Sequence, residues 1–179
     1  NQNRSVALKS DGTVWGWGDL GSGAFYSPVP VAQLRGAKSL AAGWTHTLAL
    51  KQDGTVWAWG DNDQGQLGDG TRNSRGIPVQ VSGITDVIGI AAGVGHSVAV
   101  RKDGSVWTWG ANSQGQQGSA NTNVQATPHA VPNFDGGVSV AAGFNYTIVL
   151  KNDGSVWSAG DNLFGQLGDE EIKFLAEFG

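Results

Sequence analysis

Apolar and polar residues alternate along short segments of this chain. Two β-prone runs, TLAL at 47–50 and TVWAW at 55–59, are separated by the polar residues 51–54. A short loop that contains Asp-Gly between two such runs predicts a β-hairpin, because Gly adopts the positive φ angle that closes the turn. Equivalent Asp-Gly pairs predict further hairpins at 11–12, 103–104 and 153–154.

The hairpin belongs to a longer segment that repeats. Residues 41–68, 91–118 and 141–168 carry the same pattern at a spacing of 50 residues, and residues 6–18 form a partial copy. Self-similarity at such a period is typical of solenoids, propellers and arrays. We therefore treat residues 1–169 as one repeat domain, with copies near 1–40, 41–90, 91–140 and 141–169.

Two further strands are predicted in each full repeat. The small residues Ala-Ala-Gly at 41–43, 91–93 and 141–143 suit an innermost strand that is crowded against its neighbours. Proline suits an edge strand, which predicts outermost strands at 28–31, 78–81 and 128–131. Four strands per repeat indicate a β-propeller blade. The predicted fold is therefore all-β, a partial β-propeller of four-stranded antiparallel blades with about 3.5 blades and strands grouped as three, four, four and three.

The motifs resemble a known family. Ala-Ala-Gly-x-x-His-(Thr/Ser), Asp-Gly-(Thr/Ser)-Val-Trp-x-Trp-Gly and Gly-Gln-Leu-Gly follow in this order and resemble the regulator of chromosome condensation repeat, over residues 5–168. The resemblance implies a seven-bladed propeller, of which this chain would be about half. We expect either a fragment of a longer propeller or a homo-oligomer. The tail at 170–179 departs from the repeat and predicts a strand or a short helix, unless it is vector-derived.

Composition limits the functional classes. The net charge is −4 and the basic residues are scattered, whereas nucleic-acid binding usually requires a basic patch, so no nucleic-acid partner is expected. No apolar run is long enough for a membrane span. The absence of cysteine excludes disulfides and leaves the compartment open; between the options, a secreted or bacterial cell-surface location is favoured.

The candidate motifs for ligands are weak, and no cofactor is expected. Residues 16–21 match Gly-x-Gly-x-x-Gly, but no helical pattern follows to present its N-terminus to a phosphate. Residues 61–65 hint at a calcium loop, yet they lack the Gly and Glu that an EF-hand needs at its sixth and twelfth positions. We therefore expect neither a metal nor a nucleotide.

The histidines and carboxylates follow the repeat rather than a catalytic pattern. His46 and His96 share a repeat position that Tyr146 and Arg4 occupy in the other copies. We expect these histidines to bond neighbouring backbone. The carboxylates sit mostly at turns, four of them at the equivalent positions 11, 53, 103 and 153, whereas a general acid and base need two different environments in one cleft. The prediction is a protein that is not an enzyme.

Three pairs of tryptophans lie two residues apart, at 15 and 17, 57 and 59, and 107 and 109. Side chains two apart share one face of a strand, so each pair is predicted to pack between adjacent blades. Full burial of one Trp removes up to roughly 250 Å² from water, which is worth at most about 6 kcal/mol.

Binding residues are predicted where the copies differ. The two positions after Ala-Ala-Gly differ between the copies and lie on one rim near the axis. Two of the copies place a large aromatic there, and such residues dominate binding hot spots. The alternative is that these aromatics fill gaps between blades. A second varied loop, 69–76, contains two arginines. The candidate protein-binding residues are Trp44, Thr45, Arg72, Arg75, Val94, Phe144 and Asn145.

The predicted function is therefore a non-enzymatic protein-interaction module that binds a protein partner through its rim loops. Two alternatives come from the family resemblance. One is a guanine-nucleotide exchange factor for a small GTPase, and the other is an inhibitor of a secreted enzyme such as a β-lactamase. No inserted wedge of the kind used by exchange factors is visible in the sequence.

Overall fold

The computed structural model describes residues 3–20 and 23–168, and every regular element in them is a β-strand. The strands are β1 (Arg4–Leu8), β2 (Val14–Asp19), β3 (Ala24–Pro30), β4 (Ala37–Ala42), β5 (His46–Lys51), β6 (Val56–Gly60), β7 (Arg75–Gln80), β8 (Val87–Ala92), β9 (His96–Arg101), β10 (Val106–Gly110), β11 (Gln125–Ala130), β12 (Gly137–Ala142), β13 (Tyr146–Lys151) and β14 (Val156–Gly160).

The strands form four antiparallel sheets, which we number as blades in chain order. Blade 1 is β1-β2-β3, blade 2 is β4 to β7, blade 3 is β8 to β11 and blade 4 is β12-β13-β14, all in consecutive order. The innermost strands β4, β8 and β12 contact one another in succession, so the blades converge on an axis. The all-β partial propeller predicted from the sequence is confirmed, with the grouping of three, four, four and three strands in the described residues.

Each hairpin closes through its Asp-Gly pair. Gly54 has a φ angle of +80°, and its N–H donates to the Lys51 carbonyl at 3.1 Å. The Asp53 carboxylate accepts from the hydroxyl of Thr55 at 2.6 Å and from its backbone N–H at 3.0 Å. These bonds lower the pKa of Asp53. The recurring acids therefore build turns, as their repeat spacing indicated.

The outer strands start earlier than the prolines predicted. In blade 2 the outer strand begins at Arg75 rather than Pro78, and its pairing with β6 changes register between Ala58 and Gly60. The strand is longer than predicted because it also pairs with β6 on the far side of this register shift, where Arg75 lies opposite Gly60. No proline in the sequence signals this additional segment. Beyond the strand end, the Val81 N–H still donates to the Val56 carbonyl at 2.9 Å.

The core lies between blades. We call the side of a blade that faces the following blade its leading face, and the opposite side its trailing face. On β5, Leu48 and Leu50 lie in a buried cluster with Trp109 of blade 3, whereas Ala49 lies in another cluster with Val14 of blade 1. Each interior blade therefore contributes both faces to the core, as strand alternation requires.

The tryptophans fill these contacts from the trailing side. Trp59 is 1% exposed in the cluster between blades 1 and 2, and Trp109 is fully buried in the cluster between blades 2 and 3. Trp57 and Trp107 pack against the same two clusters and remain partly exposed. The spacing thus predicted the packing between blades correctly for the pairs at 57 and 59 and at 107 and 109. The pair at 15 and 17 belongs to neither cluster, and both of its side chains are partly exposed.

A chain of hydrogen bonds joins blade 2 to blade 3. The Ser97 hydroxyl donates to the Gln66 carbonyl at 2.8 Å, and therefore accepts from His46 Nε2 at 2.8 Å. The indole N–H of Trp109 donates to the same carbonyl at 2.9 Å. The expectation that His46 bonds neighbouring backbone was wrong, because its Nε2 bonds the Ser97 hydroxyl of the next blade and its Nδ1 has no partner among the described residues.

The same arrangement recurs one blade later and is missing one blade earlier. His96 Nε2 lies 3.1 Å from the hydroxyl of Thr147, which donates to the Gln116 carbonyl at 2.7 Å. The equivalent hydroxyl of Thr47 faces blade 1. In blade 1 the loop that corresponds to the one carrying Gln66 is shorter, and the Thr47 hydroxyl is buried without a partner. Burial lowers the pKa of His46 to about 3 and of His96 to about 4, so both are neutral.

The tail predicted at 170–179 lies outside the described residues. Within 3–20 and 23–168, no helix has the length and apolar character that a membrane crossing requires.

Candidate functional site

The loops that follow the innermost strands meet at one rim. Trp44, Val94 and Phe144 occupy the same position in blades 2, 3 and 4. The Trp44 N–H donates to the Gly93 carbonyl and the Val94 N–H donates to the Phe144 carbonyl, both at 3.0 Å. These bonds between successive loops fix the three side chains relative to one another.

The aromatic rings of Trp44 in blade 2 and Phe144 in blade 4 touch each other. The ring centroids of Trp44 and Phe144 lie 5.8 Å apart at an interplanar angle of 67°, an edge-to-face arrangement. The side chains are 39% and 60% exposed, respectively, so they do not fill gaps in the interior. Together with Val94 they border a shallow cavity, which we call the aromatic groove.

Glycine forms the floor of the groove. Gly43, Gly93 and Gly143 line it together with the alanines that precede them. A Cβ atom on Gly93 would lie 2.2 Å from Cε1 of the buried His96 ring. The repeated glycine is therefore required by the histidine beneath it, and it lets the aromatic rings stand above a flat base.

A charged cluster adjoins the groove beside Trp44. The Thr45 carbonyl accepts from the Asp61 N–H at 3.0 Å and from the Arg4 guanidinium. Burial lowers the pKa of Arg4, and the charges of Asp61 and Asp19 oppose this shift. Asp61 is exposed and lines a second cavity together with Trp44, Thr45, Arg4 and Asp19.

Blade 4 repeats part of this arrangement. The Asn145 carbonyl accepts from the Asp161 N–H at 2.9 Å, as Thr45 does from Asp61. In blade 3 the matching bond runs from the Ala111 N–H to the Gly95 carbonyl, so the acid is missing there. On this rim, an aspartate therefore lies beside each of the two aromatic positions, whereas Ala111 holds the matching place beside Val94.

The two candidate arginines lie away from the groove. Arg75 donates to the Asp69 carboxylate through Nε at 3.1 Å and Nη2 at 2.9 Å, which holds the loop 69–76 together. Burial acts against ionisation of Asp69, but hydrogen bonds from Thr71 and Arg75 outweigh it and lower its pKa. Arg72 is exposed. Neither arginine is among the residues that line the aromatic groove.

The loop compared with a calcium site is organised by an asparagine. Asn62 is buried, its Oδ1 accepts from the Leu67 N–H at 2.9 Å, and its Nδ2 donates to the carbonyls of Thr71 and Asn73. Asn112 plays the same part in blade 3. In the described residues no group of three or more His, Cys, Asp or Glu side chains is placed to hold a metal ion.

Sequence reasoning found the aromatic positions and missed two features beside them. It did not foresee that Trp44 and Phe144 touch, because they lie in blades 2 and 4. It also missed Asp61, since the acids were assigned to turns. The recurrence of Asp after the strand-final glycine, at 61 and 161, was the available signal for this second feature.

The sequence profile of the regulator of chromosome condensation (RCC1) repeat matches residues 53–100 and 103–150. A second profile with the same description matches residues 37–66, 87–116 and 138–166. The chain belongs to this repeat family. Membership explains the period and the conserved order of the motifs within the chain, and agrees with the resemblance inferred from the sequence.

Solved structures share the fold. Human WBSCR16 is 22% identical with a TM-score of 0.88, covering 100% of this chain and 50% of that chain. Saccharomyces cerevisiae Prp20p is 22% identical with a TM-score of 0.87, covering 99% and 48%. Yeast RCC1 (Prp20) bound to Kap60 is 23% identical with a TM-score of 0.85, covering 99% and 46%. The chain thus spans about half the length of these proteins, and at this identity the likeness shows the fold alone.

Proposed function

We propose that the chain is a non-enzymatic protein-interaction module that binds a protein partner at the aromatic groove. The observation that carries this proposal is the exposed pair of Trp44 and Phe144 rings, in contact with each other on a glycine floor. Large aromatics held rigidly on a rim are well suited to anchor a partner, because they bury much area at low entropic cost.

The chemistry of the rim indicates the kind of segment that would bind. The groove offers apolar contact from Trp44, Val94 and Phe144, and Asp61 lies at its edge beside Trp44. A segment with an apolar side chain followed by Lys or Arg would satisfy both. Thr45 and Asn145 present backbone near the groove, whereas Arg72 would contact only a partner that extends over the loop 69–76.

Relatives support a binding role in general. The structure of Prp20p was described together with its binding to Gsp1p and histones, and yeast RCC1 (Prp20) was solved bound to Kap60. Both structures concern one relative of this fold, which binds other proteins. Because a fold hosts many functions, the identity of the partner must come from the site.

Selection from a displayed library of random peptides tests the proposal. Peptides selected on the wild-type chain should be enriched in an apolar residue next to Lys or Arg, and should not bind the Trp44→Ser/Phe144→Ser variant. Ile77→Ser is the matched control, because Ile77 is 54% exposed on the outer strand of blade 2. Peptides that bind all three proteins equally would refute the proposal.

Guanine-nucleotide exchange is the second candidate function, because Prp20p shares the fold and was examined for binding to Gsp1p. Release of a fluorescent guanine nucleotide from a small GTPase would be accelerated by the chain if it had this activity. A release rate that does not change at a saturating concentration of the chain would exclude exchange activity. Inhibition of a secreted enzyme stays a prediction from the family resemblance.

A further inference from the structure

The leading face of blade 4 is apolar and exposed. Leu150 is 39% exposed and Val156 is 64% exposed, whereas their counterparts Leu50 and Val56 in blade 2 are buried beneath blade 3. The residues that cover an equivalent face in blades 2 and 3 belong to the trailing face of the next blade. The structure therefore shows what kind of surface fits on this face.

The trailing face of blade 1 is such a surface. Ser5 pairs with Trp17 and Ala7 pairs with Trp15 across β1 and β2, so the four side chains share one face. All four are partly exposed. The counterparts of Trp17, at the same position of blades 2 and 3, are the buried tryptophans that pack on a preceding blade.

We propose that the 179-residue chain associates head to tail, with the trailing face of blade 1 in one copy packed on the leading face of blade 4 in a second copy. The chain already builds this contact three times within itself, between its own successive blades. The two faces that are uncovered within residues 3–20 and 23–168 are the two halves of the same contact. Such an interface is heterologous, since it joins different surfaces of identical chains.

The polar groups match as well as the apolar ones. Between blades 2 and 3, the Gln66 carbonyl accepts from Ser97 and Trp109. Ser5 and Trp17 occupy the positions of Ser97 and Trp109 in blade 1, and Gln166 occupies the position of Gln66 in blade 4. The proposed contact therefore brings both donors to an equivalent carbonyl.

The contact between blades 3 and 4 has only one of these two donors. Ala159 stands where the buried tryptophan lies in other blades, so only Thr147 donates to the Gln116 carbonyl. A contact made with Trp17 would be complete in the way that the contact between blades 2 and 3 is. This comparison favours a second copy over a generic apolar partner, because both the ring and its donor are supplied.

Light scattering coupled to size exclusion tests the association. The wild-type chain should elute at twice its mass of 18.5 kDa or more. Val156→Lys and Trp17→Arg should each abolish the association by placing a charge in the contact, with Leu150→Lys as a second variant of the blade 4 face. Ile77→Lys, on the outer strand of blade 2, is the control and should leave the mass unchanged.

Mixing the variants tests the head-to-tail arrangement. Trp17→Arg retains an intact blade 4 face and Val156→Lys retains an intact blade 1 face, so an equimolar mixture should form a heterodimer although neither variant dimerises alone. Trp17→Phe, which keeps a ring but removes the indole donor, should weaken dimerisation about fivefold to tenfold. Circular dichroism melts verify that each variant folds.

Three results would overturn the proposal. The first is a monomeric mass for the folded wild-type chain. The second is dimerisation of Trp17→Arg alone, which would mean that two blade 4 faces meet. The third is association that survives both charged substitutions. None of these results bears on the aromatic groove, which lies on a different surface.

Discussion

Thr47 and Thr147 offer a matched test of the hydrogen bonds between blades. They occupy the same position in blades 2 and 4 and both are fully buried. The Thr147 hydroxyl bonds His96 and the Gln116 carbonyl, whereas the Thr47 hydroxyl has no partner. Replacing each by the isosteric Val changes the same atoms in the two blades, and only the partners differ.

Opposite effects on stability are expected. Thr147→Val leaves two buried groups unpaired at about 1–3 kcal/mol each, so the free energy of unfolding should fall by about 2–6 kcal/mol. Thr47→Val removes an unsatisfied buried hydroxyl and should be neutral or stabilise by about 1 kcal/mol. At about 3 °C per kcal/mol for a chain of this size, the first change corresponds to a melting temperature lower by about 6–18 °C.

Urea unfolding followed by tryptophan fluorescence, together with calorimetric melting, would measure both variants. The circular dichroism spectra of the variants should match that of the wild type before unfolding. If Thr47→Val destabilises the chain as much as Thr147→Val does, the reasoning is refuted, because the cost would then come from packing alone.

Two further predictions concern the histidines and the glycine floor. Burial lowers the pKa of His46 to about 3 and the pKa of His96 to about 4. Their contribution to the free energy of unfolding is therefore complete above about pH 6.5 and is lost as the pH falls toward these values. At pH 5 the loss should be about 2 kcal/mol per histidine. Unfolding measured between pH 7 and 5 should show this slope, and substituting both histidines by Gln should flatten it; an unchanged slope would contradict the assignment. Gly43→Ala would place a Cβ 2.4 Å from a backbone carbonyl of blade 3 and should lower the free energy of unfolding by more than about 2 kcal/mol. Gly95→Ala should be tolerated, because the nearest atom to the new Cβ belongs to a flexible side chain at 3.3 Å. Equal melting temperatures for the two glycine variants would contradict this account.

The sequence predicted the parts of the fold that depend on local chemistry. Asp53-Gly54 predicted a hairpin because the turn needs a positive φ angle, and the structure has that turn. The spacing of Trp57 and Trp59 predicted a shared face because strands alternate. These inferences needed no knowledge of how one blade sits on the next.

The sequence did not predict contacts between distant blades. His46 bonds Ser97, which is 51 residues away, and this pairing depends on the angle between neighbouring blades. The contact between Trp44 and Phe144 depends on two such angles, because blade 3 lies between the blades that carry them. The early start of the outer strand at Arg75 depends on a register shift that no proline marks. The division of the chain into copies near 1–40, 41–90, 91–140 and 141–169 stays a prediction.

Binding of a protein segment at the aromatic groove is the proposal on which the function rests. Isothermal titration of one library-selected peptide into the wild-type chain, Trp44→Ala/Phe144→Ala and Ile77→Ala measures it directly. We expect the double variant to lose affinity by roughly thirtyfold or more, as removal of hot-spot residues does, and Ile77→Ala to bind like the wild type. A double variant that binds the peptide as tightly as the wild type would contradict the claim.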